Sequence, residues 1–373
     1  MSGDHSILPP SGAAAWSRCG LWVRMNQQFP KSDTPESMEG TVAHWVFAQM
    51  LAGCNVNAGD ISPEGIVVTD EMVEGGELVI ETVTARMHGM ELRVESGVAI
   101  PRIHEKCWGT PDIWAADLSR KVLEIIDYKF GHRFVDEYEN DQGVAYIAGI
   151  IDALSDAPGL LDQVLIVNFT IVQPRCFLKG APVRTWTVRA SDLRAQINKL
   201  KRAAELSLDA NPVATTNSEC RDCPGRHACP ALQQAAYADA EYSAMSSPVE
   251  LTPAAASLEL KMMERALERL QARVEGMREA VTGYARQGQV VPYHHIEQGF
   301  GRQQWSLPTE QVVAMGQLLG ADLSKPGVVT PKQALKLGVD EAVINAYSVT
   351  PLGSIKLVSD NPADARRVFG TTK

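Results

Sequence analysis

GTPDIWAADLSRKVLEIIDYKFG, residues 109–131, consists of two apolar runs separated by a short polar break at Leu118–Lys121. Runs of this length, rich in Ile, Val and Trp and bounded by turn residues, read as the two strands of a hairpin. The charged residues stand at its open end. Asp112 begins the first strand, Asp127 lies near the end of the second, and Lys129 follows two residues later. Side chains two apart on a strand share a face, so Asp127 and Lys129 project together. Gly109 and Gly131 free the backbone at both ends of the stretch. An isolated Asp-Tyr-Lys would fit a solvated strand end, but here the charges directly follow the apolar run EII and sit opposite Pro111-Asp112.

Two carboxylates and an ammonium in one place suit a particular chemistry. Cleaving a phosphodiester requires an activated water and stabilisation of charge on the phosphate, and carboxylate-held divalent ions supply both. Mg²⁺ or Mn²⁺ needs only a few hard oxygen ligands, so Asp112, Asp127 and the backbone carbonyl of Tyr128 suffice. Lys129 would stand beside the ion and handle the attacking water or the phosphate.

Working outward, EGTVAHWVFAQML (Glu39–Leu51) has helical apolar spacing and predicts a helix entered near Gly40, with His44 in its first turns. A Gly/Glu-rich segment runs to about Glu77, followed by a helix expected over Glu81–Met87 and a strand over Glu91–Ile100 that carries Glu95 as a further acidic neighbour. After the hairpin, a helix is expected over Asp141–Leu154, bearing Gln142 and Tyr146. Strands over Val164–Val172 and Arg184–Ala190 and a helix over Ser191–Leu208 come next. Ala254 to about Gln287 is a long amphipathic helix, read as packing on its own domain. The expected organisation is a core over 1–245, the long helix within 246–290 and a small mixed appendage over 291–373.

With 45% hydrophobic and 21% charged residues the chain reads as globular, and its net charge of −10 argues against coating nucleic acid by bulk electrostatics. It leaves room for a narrow basic groove. No apolar run has membrane-spanning length and no secretion signal is expected at the start, so a soluble cytoplasmic protein is the expectation. Seven cysteines fit a reducing compartment. Three of them, Cys220, Cys223 and Cys229, cluster in one short loop, which a lone structural cysteine would not require. A four-coordinate site needs one more ligand, from Cys19, Cys54, Cys107, Cys176 or His227, and ligand type alone leaves zinc and iron-sulfur about equally open.

Pro111-Asp112 and Asp127-Tyr128-Lys129 together resemble the motif of the PD-(D/E)xK nucleases, in their RecB-like branch. EGTVAH resembles the Gly-Thr-x-x-His helix of that branch, which implies His44 as a metal ligand. NDQGVAY resembles its Gln-x-x-x-Tyr helix, which implies that Gln142 and Tyr146 shape the site and touch DNA. SRCGLW and CRDCPGRHAC resemble the arrangement in AddB-type helicase-nucleases and CRISPR adaptation exonucleases, which implies Cys19 as the fourth ligand of a 4Fe-4S cluster, with Zn²⁺ as the rival. The resemblance is strong over about Cys19–Cys229, is greatest to a phage-borne group, and is loose beyond. It implies a restriction-endonuclease-like α/β fold, a mixed central sheet flanked by helices, and metal-dependent hydrolysis of DNA, as an exonuclease. It also suggests phage recombination or end processing as the setting, with a single-strand annealing recombinase as partner. The competing expectation is a catalytically inactive, nuclease-like DNA-binding or assembly module with a structural metal. Cleavage polarity and oligomeric state are not encoded in these motifs.

Overall fold

The computed structural model describes residues 6–30, 33–154, 165–176, 181–242, 251–300, 303–324 and 330–359. The chain divides into two compact units, Met1–Arg273 and Val274–Lys373. In the first, α1 (Ala13–Trp16), α2 (Trp22–Gln28), α3 (Pro35–Leu51) and α4 (Asp70–Arg86) precede three short strands, β1 (Arg93–Val94), β2 (Val98–Ala99) and β3 (Trp108–Gly109). The hairpin strands β4 (Ile113–Asp117) and β5 (Val122–Tyr128) follow, then α5 (Asp141–Ala153), β6 (Ile166–Val172), β7 (Val183–Arg189), α6 (Arg194–Ser207), α7 (Pro230–Tyr242) and α8 (Pro253–Arg286). The fold is mixed α/β, with a five-stranded sheet in the order β1-β4-β5-β6-β7 flanked by helices.

The hairpin forms where its apolar runs predict. β4 and β5 pair antiparallel from Ile113↔Ile126 to Asp117↔Val122. The turn is held by Asp117 Oδ1, which accepts from Ser119 Oγ and the Arg120 amide, while Lys121 takes a φ of 57°. β5 and β6 are parallel and joined through α5, and the remaining pairs in this sheet are antiparallel. Helices cover both faces of β5, which explains its nearly unbroken apolar run. Leu123 and Ile125 pack with α1, α5 and α6 on one face. Ile126 and Tyr128 pack with Val46 and Phe47 of α3 and Val79 of α4 on the other.

Three expected boundaries are corrected. α3 starts at Pro35 rather than near Gly40, because Thr34 caps it in a reciprocal capping box with Ser37 and Pro35 occupies the first turn. α4 runs over Asp70–Arg86 rather than Glu81–Met87, since Thr69 accepts from the Met72 amide and the Gly/Glu stretch is helical. Its two glycines serve packing. A Cβ on Gly75 would meet Tyr128 Oη, and one on Gly76 would lie 2.8 Å from Met50 Sδ. The strand expected over Glu91–Ile100 is broken at Glu95, whose φ of 42° sends β1 into the main sheet and β2 into a separate pair with β3. Val164, expected to open β6, lies outside the described residues.

The long helix α8 is present, and within the first unit Arg269 on it pairs with Asp239 of α7. The boundary between units falls inside this helix. The second unit contains β8 (His294–Phe300), β9 (Gln304–Trp305), α9 (Thr309–Leu318), α10 (Pro331–Lys336), α11 (Glu341–Tyr347), β10 (Ser348–Val349) and β11 (Leu352–Ser359). Here β8 pairs with β11 and β9 with β10, beside a small core of Val312, Leu323, Ala334, Val339 and Ile344. No helix among the described residues is long and apolar enough to cross a membrane.

Helix propensity alone makes Gly75→Ala stabilising by about 1 kcal/mol. The buried phenol reverses the sign, and we expect a net loss of about 1–3 kcal/mol with a melting temperature several degrees lower. Among the described residues Tyr128 Oη has no hydrogen-bond partner, so Tyr128→Phe is expected to be tolerated and to rescue Gly75→Ala. Thermal unfolding of the two single variants and the double variant checks this; additive losses would refute it.

Candidate active site

The site lies at the open end of the β4-β5 hairpin. Continuing the register one step beyond Ile113↔Ile126 sets Asp112 opposite Asp127, on the sheet face that α5 covers. Both are buried, at 9% and 2% exposure. Asp112 Oδ2 accepts the Tyr128 amide at 2.6 Å, and Asp112 Oδ1 lies 3.5 Å from His44 Nδ1. His44 thus reaches the carboxylate from α3, past the ring of Tyr128, against which its imidazole tilts.

Lys129 Nζ stands 2.8 Å from Asp127 Oδ2 and donates to Gln142 Oε1 at 3.2 Å, while Gln142 Nε2 donates to Asp127 Oδ1 at 3.1 Å. Gln142 therefore fixes both members of the ion pair from the first turn of α5, which Asn140 caps by accepting the Gly143 amide. Tyr146, one turn further, is buried and donates to the Thr110 carbonyl at 3.1 Å. Its hydroxyl therefore anchors the segment leading into Asp112. Glu95 donates its amide to the Asp112 carbonyl, but its side chain is exposed and its carboxyl is not among the charges that act on Asp112.

Burial raises the Asp112 carboxyl to about 6, with Asp127 adding to the rise, while His44, Lys129 and the Tyr128 amide pull the other way. For Lys129, desolvation works against the charge. The two carboxylates outweigh it, and the ammonium is held above its ordinary value. The two carboxylates share the Lys129 ammonium, with the His44 imidazole 3.5 Å from Asp112. Asp127 Oδ2 is buried, and the Lys129 ammonium at 2.8 Å is its one close partner among the described residues. An oxygen in that condition suits a cation. Among the described residues no three His, Cys, Asp or Glu side chains form a ready-made metal-binding group.

The structure brings Cys19, Cys220, Cys223 and Cys229 to the wall of one small cavity of about 20 Å³. Backbone amides point at the sulfurs. Thr215 N lies 3.5 Å from Cys19 Sγ, Asn217 N lies 3.4 Å from Cys220 Sγ, and the Gly225 amide bonds Cys223. Burial pushes the Cys223 thiol up to about 11 and raises Cys220. Cys54, Cys107 and Cys176 do not line this cavity, and neither does His227, which packs edge-on against Phe29.

Sequence reasoning missed Gln173. Fully buried after β6, it donates to the carbonyls of Gly131 and Arg133 and accepts from the Val135 amide, so it shapes the loop that leaves Lys129. The only local signal is a glutamine ending an apolar strand, and its partners appear only once β5 and β6 are paired.

A family model described as a protein of unknown function (DUF2800) matches residues 5–339, and the chain belongs to that family. Among solved structures, the chain is similar to one from Eubacterium rectale described as an exonuclease. Identity is 11%, the match covers 66% of this chain and 91% of the other, and the TM-score is 0.34. A phage related exonuclease from Haemophilus somnus has 16% identity, 54% and 92% coverage and a TM-score of 0.22. The protein SSO0001 has 10% identity, 62% and 89% coverage and a TM-score of 0.31.

An acid whose folded pKa exceeds its unfolded value binds protons more tightly when folded, so it lowers folding stability as pH rises from 3.8 through about 6. In EDTA, Asp112→Asn is therefore expected to raise stability by on the order of 2 kcal/mol at pH 8 and to have no such effect below pH 4. Calorimetric melting at both pH values tests this, and a variant destabilised at pH 8 would contradict the burial account.

Proposed function

We propose that this site hydrolyses DNA phosphodiester bonds as a divalent-metal-dependent nuclease, acting from strand ends. The observation that carries the reading is the pair of buried carboxylates set opposite one another on one sheet face, with Lys129 at one and His44 at the other. Asp112, Asp127, His44 and the Tyr128 carbonyl are the groups that would hold Mg²⁺ or Mn²⁺. Such an ion, when bound, supplies Lewis-acid activation of water and phosphate. Lys129 keeps its proton between the carboxylates and presents positive charge toward a phosphate oxygen. Gln142 holds that ammonium in place, and Tyr146 with the Tyr128 amide fixes Asp112. The preference for ends, and a setting in which strands are resected before an annealing protein acts, rest on the resemblance alone.

We also propose that Cys19, Cys220, Cys223 and Cys229 hold a metal centre, a 4Fe-4S cluster, with a single Zn²⁺ as the competing occupant. Four thiols on one cavity and amides directed at three sulfurs support a thiolate site. As it stands the cavity has room for about one water-sized sphere, so a cluster requires the thiols to open outward. The centre would tie residue 19 to the end of the core and stabilise that contact.

Loss of a labelled linear duplex with Mg²⁺ or Mn²⁺, blocked by EDTA, is the expected activity. Asp112→Ala, Asp127→Ala and Lys129→Ala should each reduce it on the order of a hundredfold or more; wild-type cleavage by either aspartate variant would sink the assignment. His44→Ala should be milder or shift the metal preference.

Protein purified without oxygen should be brown and lose its colour on oxidation, and Cys19→Ser should remove the colour as completely as Cys220→Ser. Metal analysis decides the occupant. One zinc per colourless chain would replace the cluster, and colour retained in Cys19→Ser would remove that residue from the ligand set.

A further inference from the structure

A second concavity in the first unit is larger than the cysteine cavity and differs from it in charge. A groove of about 790 Å³ runs between the N-terminal segment and α6, lined by Arg18, Asn198, Lys199, Arg202, Asp209 and Asn211 among others. On α6, Asn198 and Lys199 fall four and three residues before Arg202, so each neighbours it on the helix surface. Ile197, Leu200 and Ala204 form the buried face of the same helix. Within a chain of net charge −10, α6 carries Arg194, Lys199, Lys201 and Arg202 against a single acid, Glu205. Basic charge is therefore concentrated where a groove opens.

The groove is joined to the active site through one residue. Asp141 opens α5 immediately before Gln142; its Oδ2 accepts from Ser17 Oγ at 3.1 Å, and its Oδ1 lies 3.8 Å from Lys199 Nζ. Not all the charge is committed locally. Glu219 holds Arg18 at 2.8 Å, Lys199 meets Asp141 only at the long distance given, and Arg202 is exposed and makes no ion pair among the described residues. Asp209 is the one acid among these lining residues, against three cations. Neutral amides of Asn198 and Asn211 add hydrogen-bonding groups without adding charge. The volume is that of a pocket for one medium-sized ligand, which fits a short run of one strand and not the width of a duplex.

We propose that this groove seats the sugar-phosphate backbone of one DNA strand beside the Asp112–Asp127 centre, with Lys199 and Arg202 contacting phosphates. The inference rests on the nuclease reading and supplies the strand path that the buried centre does not. It makes binding dependent on salt, because each neutralised phosphate releases counterions. For a single strand, each lost contact flattens the slope of log affinity against log salt by about 0.7.

The test measures binding of a short fluorescein-labelled oligothymidylate by anisotropy, using the full chain in EDTA so that no cleavage occurs. The Lys199→Glu/Arg202→Glu double variant is expected to bind about tenfold or more weakly, with a salt slope flatter by about 1.4. Arg120→Glu reverses one charge on the exposed turn at the other end of the hairpin, half the change of the double variant, and should bind as the unaltered chain does. Equal affinity of the double variant and the unaltered chain, an equal loss in Arg120→Glu, or no binding by the unaltered chain would each overturn the proposal. So would a labelled blunt duplex that binds more tightly than the single strand and loses nothing in the double variant. The nuclease reading is scored separately, by metal-dependent cleavage of a small phosphodiester such as bis(p-nitrophenyl) phosphate. That ester is too small to need the groove, so its hydrolysis by the unaltered chain reports on the Asp112–Asp127 centre alone.

Discussion

Two carboxylates face one another across β4 and β5, and much of the surrounding structure answers that constraint. Like charges directly opposite on paired strands repel, and burial removes the water that would screen them. Each is met by a different device. Asp112 takes the Tyr128 amide, which continues the end of the ladder with a side chain in place of a backbone carbonyl. Asp127 takes the Lys129 ammonium and the Gln142 amide. The compensation is incomplete, as the elevated Asp112 carboxyl indicates. A protein core that retains partly compensated negative charge gives up stability at that point.

The two helical layers divide the work. α5 approaches the charged face and supplies Gln142 and Tyr146 one turn apart, so that one helix orients both the ion pair and the segment before Asp112. α3 and α4 cover the opposite face, where Tyr128 packs against Phe47 and above Gly75. The close approach permitted by Gly75 lets the phenol sink into this layer, and His44 then passes beside it to reach Asp112. Packing on the apolar face thereby governs geometry on the charged one.

The N-terminal segment links the remaining features. Leu8, Trp16 and Trp22 are buried against α5 and α6, and Ser207 Oγ on α6 donates to the Trp16 carbonyl. Anchored in this way, the same short segment presents Cys19 to the cysteine loop, Arg18 to the basic groove and Ser17 to Asp141. A change at the four thiols would therefore be felt in the groove wall, since Arg18 is held by Glu219 next to Cys220.

Local pattern determined the hairpin, the fifth and eighth helices, the strand character of β6 and β7, and the grouping of Asp112, Asp127 and Lys129. In each case the information lies in spacing along one segment, with period two for strands and about three and a half for helices. α3 and α4 begin earlier than their apolar spacing indicates because capping by Thr34 and Thr69, with close packing at Gly75 and Gly76, carries the helices through stretches of low propensity. Only tertiary structure decided that Tyr146 turns inward, that Glu95 stays outside, that Gln173 shapes the loop after Lys129, and that Cys19 joins cysteines about two hundred residues away. These are questions of which surfaces meet. Burial and hydrogen-bond partners depend on neighbours distant in the chain, which no local periodicity encodes.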